Sequence, residues 1–509
     1  MRLLALSSLF SLLIMAGYSQ SIKVGPMVEA EFVQFEPYIR GEDKQNIYVA
    51  DFYYEDLIVE SFDKATLRQN YRKTFELDIK ETARYKLELE SFLFLDGYFI
   101  YLISGNYYRD SYSELYVHRI NASTGVKEPI DTILHQKGGE GDAGTGYYRI
   151  HTSKNKTRLI VHYISPNEEL ERYYEKLVLL DSEMNTIIEK EYVKSDKDEL
   201  ISFNKIIDDE GSIYYLEGNE FVFLDYYQDY EEWREPLPND IFESNARPSR
   251  INGGFNNKGN LVVTAMYLTE DAENTDENKP YMERLQGDHQ LEGIVYFEID
   301  GFNKEIIKAK VSKFDQAFID EFLTENMIKD EMEAEVNNLF NSFSFKFLDD
   351  ATVLIGESVP NSAKPDERLF NDMVVFVFNE DGSLRWGHRI HKSQLWNNGN
   401  KTTSYFSFSD EGNIYVLFQD YDRNFEGNKR EQYNLRLADK AKYVIPVLYR
   451  FDKVTGENDY EVRRNWNSGK ELKLNPNFAD QSEPGDPIYV FIKYREDYRL
   501  ARINTKTDK

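Results

Sequence analysis

Apolar and polar residues along this chain alternate in short blocks and rarely at helical spacing. A turn rich in Asp, Asn and Gly is followed by a short β-rich run in "FSDEGNIYVLFQD" (408–420), "IDDEGSIYYLEGN" (207–219), "FNNKGNLVVTAMY" (255–267) and "FLDDATVLIGESV" (347–359). The turn residues reach φ > 0 at low cost. The run after them is apolar on both faces, as in a strand buried between two layers. Each phrase therefore predicts a hairpin. A second phrase interleaves with the first: a strand ending in Phe, Ile or Leu and then Asp or Asn, a polar turn, and another strand. "LYRFDKVTGENDYEV" (448–462), "VFVFNEDGSLRWGHRI" (375–390) and "VLLDSEMNTIIEKEY" (178–192) are examples.

The two phrases alternate strictly. Their turns fall at Gly41 and Asp63, Gly97 and Asn121, Lys154 and Asp181, Gly211 and Asp225, and Gly259 and Asp300. The series ends with Asp350 and Asn379, Gly412 and Asp452, and Gly485 and Asn504. From Asp63 to Asn504 the spacing averages about 63 residues. Two hairpins per unit make four antiparallel strands, and such units repeated about an axis are the blades of a β-propeller. The expected fold is all-β: a closed propeller of four-stranded antiparallel blades. Eight is the count, with seven as the alternative because the fourth unit is short. The last unit stops at "RINTKTDK" without a full fourth strand. The β-rich "SIKVGPMVEAEFV" (21–33) is the segment that would complete it and close the ring.

These units resemble blades of bacterial secreted β-propeller proteins. The resemblance spans residues 25–509 and speaks for architecture, not for a function. The WD dipeptide and Gly-His signature of WD40 repeats and a regular kelch double glycine are absent.

One segment departs from the β pattern. In residues 314–340, Phe318, Phe322, Met332, Val336 and Leu339 fall at helical spacing with acidic residues between them. The reading is a helical insertion between units five and six. It is either a solvated decoration on the propeller or an arm for partner contact through Phe318, Phe322 and Met332.

Composition and the chain ends narrow the setting. Tyr 37 and Phe 33 among 509 residues make an aromatic core and favour strands. Residues 1–19 read as a secretory signal: Arg2, an apolar run from Leu3 to Ala16, and small residues before Gln20. Residues 20–509 then form one propeller domain. With no Cys, the chain has neither a lipobox cysteine nor a disulfide nor a thiolate metal site. The expected location is the periplasm, or beyond it in association with the outer membrane. Net charge is −29, a surface that repels nucleic acid and anionic lipid.

Candidate chemistry is sparse. "DYDRNFEGNKRE" (420–431) has calcium-loop spacing, with Asp420, Asp422, Asn424, Glu426 and Glu431 as oxygen ligands, Glu426 through its carbonyl. Phe425 stands where the sharp turn wants Gly. Calcium is the one cofactor this chain suggests, and a plain polar loop is the competing reading. "QKGGEGDAGTGYYR" (136–149) lacks the Gly-Lys-Ser/Thr of a phosphate loop and reads as an inter-blade or ligand-contacting loop. His388 and His391 in "HRIH" point to opposite sides of a strand, poor for joint chelation. The clusters "YYQDYEEW" (226–233) and "NYYRDSYSELY" (106–116) suit either sugar stacking or blade packing. Two function classes follow. The first is a non-catalytic envelope scaffold recognising a protein or glycan through its loop face. The second is a glycan-active propeller enzyme with carboxylates at the central mouth.

Overall fold

The computed structural model describes residues 22–29, 38–53, 55–77, 85–107, 112–128, 131–137, 147–167, 172–194, 205–217, 220–238, 246–269, 291–322, 340–358, 367–370, 372–392, 394–397, 405–421, 444–462, 473–474, 486–494 and 497–504. In chain order they form the blades of an eight-bladed β-propeller: seven four-stranded antiparallel sheets and one, blade 2, whose four strands carry a short fifth, Val126–Lys127; Glu367–Phe370 and Gln394–Asn397 pair as a separate two-stranded sheet. Blade 1 runs Tyr38–Glu42, Asn46–Tyr53, Asp56–Asp63 and Gln69–Glu76. Blade 3 runs Tyr147–Thr152, Arg158–Asn167, Arg172–Asp181 and Thr186–Lys194. Blade 4, the short unit, is complete, although its first strand is only Ile206–Ile207. Blade 6 runs Phe340–Phe347, Ala351–Ser358, Met373–Asn379 and Leu384–Ile390. The chain divides into two compact units. Met1–Glu76, Pro360–Asn371 and Lys392–Lys509 carry blades 1, 7 and 8, and Leu77–Val359 with Asp372–His391 carries blades 2 to 6.

In several blades the middle strands are buried on both faces, as in Ala351–Ser358 and Asp56–Asp63, while fourth strands such as Gln69–Glu76 alternate with solvent. That is why the middle strands read as unbroken apolar runs. The cores lie in the seams between neighbouring blades. Phe408, Leu417 and Leu448 of blade 7, for example, pack on Val490, Ile492 and Ala501 of blade 8.

The recurrent Asp or Asn of both sequence phrases closes the turns. Asp410 accepts from the backbone N–H of Gly412 at 2.9 Å and of Asn413 at 2.8 Å, and the Tyr415 hydroxyl donates to its other oxygen at 2.7 Å. Asp208 repeats this with Gly211, Ser212 and Tyr214, and Asp43 with Gln45, Asn46 and Tyr48. In the second hairpin, Asp452 accepts from Val454 and Thr455, Asp300 from Phe302 and Asn303, and Asp63 from Thr66. Each side chain does the work of a backbone acceptor, so the turn needs no partner from outside.

Blade 8 is completed from the N-terminal side. Ile22–Val24 pairs antiparallel with Asp497–Ile503, in register Ile22 to Ile503, and Val28 bridges to Tyr498. Three residues of pairing are little, and a polar latch reinforces them. Arg72 of blade 1 donates to Glu60 at 2.6 Å, to the Tyr498 hydroxyl at 2.5 Å and to the Glu29 carbonyl at 2.9 Å. Tyr498 and Gln69 also donate to the same Glu60 oxygen, Oε1, while Oε2 is buried with no hydrogen-bond partner among the described residues.

Candidate functional site

Strand direction gives each blade two unlike ends. In blades 1 to 7 the connections from first to second and from third to fourth strand are short turns, many of them capped by their own Asp or Asn as described above. Residues 270–290 and 422–443 leave from the other end, between second and third strands, as does 323–339 between blades 5 and 6. Two polar clusters among the described residues sit on strands at that end.

The first is built on blade 6 and the root of the insertion. Helix α1 is Gln316–Asp320, capped by Asp315, whose side chain accepts from the Phe318 N–H at 2.8 Å. Of the expected helical insertion, 314–340, the described residues show this five-residue helix, and Met332, Val336 and Leu339 lie outside them. Phe318 and Phe322, 5% and 9% exposed, are part of the core, with Phe318 5.4 Å from the ring of Phe376. Helical spacing marks an apolar face, and here that face packs on the blade. Gly387 makes room: a Cβ there would sit 2.9 Å from Phe376. Directly after α1, Glu321 accepts from the Arg389 N–H and pairs with His388 Nδ1 at 2.8 Å. The Arg389 guanidinium donates to the Glu321 carbonyl and to Asp372, and lies 4.7 Å above the Phe322 ring. Asp372 also holds His391 Nδ1 at 2.8 Å. Burial works to raise the Asp372 carboxyl, but the His391 hydrogen bond and the Arg389 charge outweigh it and hold it below the usual range. His388 and His391 thus serve different carboxylates. The insertion and the "HRIH" motif, read apart in the sequence, are one cluster.

The second cluster lies in the seam of blades 3 and 4. The first strands of neighbouring blades 2, 3 and 4 approach one another, so these are the inner strands. Pleating puts Tyr147, Arg149 and His151 on one face of the blade 3 first strand, with Arg149 directly opposite His162. His162 Nε2 lies 3.1 Å from Glu175, and Lys205 Nζ is 3.9 Å from the same carboxylate and 4.3 Å from the Tyr215 ring centroid. His162, Glu175 and Lys205 are each under 5% exposed. Burial, with His162, Lys205 and Arg149 close by, pushes His151 down to about 4. Burial also pushes His162 down to about 4, against the opposing hydrogen bond that Glu175 accepts. Both imidazoles are neutral at pH 7. Sequence reasoning missed this cluster because its members come from four strands and no local spacing joins them.

Of the calcium-spaced residues, Asp420 ends the second strand of blade 7, paired with Ile445 and 3% exposed. Asp422, Asn424, Glu426 and Glu431 lie outside the described residues. Among the described residues no group of three or more His, Cys, Asp or Glu could hold a metal ion. Of the aromatic clusters, Tyr226 and Tyr227 form an exposed turn, and Tyr107 stacks on Tyr112 at 4.5 Å. The Gly-rich loop runs through residues 138–146, outside the described set, into Tyr147. Among the described residues no helix is long and apolar enough to cross a membrane.

No family model and no curated protein matches this chain. Among solved structures it is similar to the Dos1 propeller, at 8% identity and TM-score 0.41, covering 94% of this chain and 95% of that one. It is also similar to the β-propeller domain of the Trilobed protease from Pyrococcus furiosus, at 11% identity and TM-score 0.32, covering 84% and 95%. A third is the polysaccharide lyase Uly1, at 10% identity and TM-score 0.34, covering 94% and 100%. At such identities none passes its activity to this chain.

Proposed function

We propose that this chain is a non-catalytic binding scaffold of the bacterial cell envelope, exported by residues 1–19. It recognises a protein or glycan partner through the blade end that carries the long connections. The observation behind this reading is the contrast between the two ends in blades 1 to 7. One end is spent on turns whose Asp and Asn side chains satisfy their own backbone. The other carries residues 270–290, 323–339 and 422–443 on rigid strands, the usual division between framework and recognition. The blade 6 cluster suits it, because Glu321, Arg389 and Phe322 clamp the root from which the insertion leaves. With net charge −29, the partner surface is neutral or basic.

Replacing 270–290 and 422–443 by short Asn-Gly turns tests the reading. Capture of the partner from envelope extract is expected to fall at least tenfold while the melting temperature holds. Undiminished capture by the shortened protein refutes it. The second reading, a glycan-active enzyme, draws on the partly exposed Asp372–His391 pair, a carboxylate orienting an imidazole as a general base requires. It predicts glycan cleavage that His391→Gln abolishes.

A further inference from the structure

The seam of blades 3 and 4 holds an electrostatic imbalance. In a chain of net charge −29, Arg149 and Lys205 both stand close to two neutral histidines, His151 and His162, and Lys205 also reaches one carboxylate, Glu175. Lys205 has Glu175 within reach. The Arg149 guanidinium makes no hydrogen bond or ion pair with any described residue. It rests 5.6 Å from the ring centroid of Tyr147, which is 42% exposed. His151 Nε2, next in the same row, is buried without a hydrogen-bond partner among the described residues. A half-buried guanidinium and a buried ring nitrogen left unmatched are costly unless something fills their needs. Tyr147, Arg149 and Lys205 also stand where their inner strands begin, at the end of the blades that carries the long connections.

We propose that Tyr147, Arg149 and His151, backed by Lys205, form a binding site for the carboxylate of a sugar acid. The fork of Arg149 matches a carboxylate in bidentate geometry, which a lysine ammonium does not. His151, buried behind Arg149 in the same row, lines the floor of the site. The exposed Tyr147 ring offers an apolar face on which a pyranose ring stacks, so a uronate fits better than a bare anion. Glu175 is held by His162 and Lys205, so it does not compete for Arg149. The site is distinct from the blade 6 cluster and does not depend on the scaffold reading.

Titration calorimetry at pH 7 and low salt tests the site on the full chain, with a trimeric oligouronate and its methyl ester as probes. The acid binds, and the ester, which keeps the rings and loses the charge, binds at least tenfold more weakly. Arg149→Gln weakens the acid at least tenfold, the size of a lost charge-assisted pair, and Arg149→Lys falls between. Melting curves of both variants show whether the seam is intact. No binding of the acid overturns the proposal. Equal affinity for acid and ester, or wild-type affinity in a folded Arg149→Gln protein, does so too.

Discussion

Lowering the pH from 7 to 4 should strain the seam of blades 3 and 4. In the unfolded chain His151 and His162 take up protons near 6.5, whereas in the fold both are held down to about 4. The folded state therefore binds fewer protons throughout this window. Stability is fully present above 6.5 and is lost as pH falls toward 4. Each tenfold difference in proton affinity is worth about 1.4 kcal/mol, so one histidine withdraws about 3 kcal/mol by pH 4. The pair withdraws about 6, an upper figure because His162 is itself among the causes that depress His151. That approaches the whole stability of many domains, about 5–15 kcal/mol. Protonation would also put new positive charge beside Arg149 and Lys205, against the single charge of Glu175 that Lys205 already meets. Urea unfolding at pH 7, 6, 5 and 4.5 measures the effect. His162→Gln keeps a donor for Glu175 and removes the titration, so its stability should fall by about 2–3 kcal/mol less than wild type between pH 7 and 4.5. Parallel losses in the two proteins would refute the reasoning.

Other consequences are as direct. Arg72→Ala leaves Glu60 buried beside Tyr498 without its cation and should cost about 3–5 kcal/mol in urea unfolding at pH 7; a loss below about 1 would show that the latch does not hold blade 8 to blade 1. Gly387→Ala drives a methyl to 2.9 Å from Phe376 and should lower stability by about 1–3 kcal/mol, and an unchanged melting temperature contradicts that packing. Asp420 sits in a strand at 3% exposure, a poor first ligand for a loop site, so calcium should leave the melting temperature unchanged. A calcium-dependent rise that Asp420→Ala abolishes would restore the metal reading.

The blades were legible because their turns are local. Asp410 and Asp452 meet the N–H groups they cap within three residues, so the chemistry that closes a hairpin is written beside it. Even blade 4, with a two-residue first strand, announces itself through Asp208, Gly211 and Tyr214. The N-terminal strand was legible by subtraction, since blade 8 stops after Ile503. The polar clusters were not. His391 meets Asp372 and Glu175 meets Lys205 across strands or blades, in contacts fixed by register and seam packing. Phe318 and Phe322 show a different limit, since the sequence left both a decoration packed on the propeller and a partner arm open. Helical spacing reports an apolar face but not what covers it, and the blade covers it here.

Hydrogen exchange on the complex with its captured partner tests the central claim most directly. Amides in 270–290, 323–339 and 422–443 should gain protection on binding, and the turns at 43–45, 63–68 and 452–457 should not. Protection confined to those turns would place the partner at the opposite end of the blades and contradict the account.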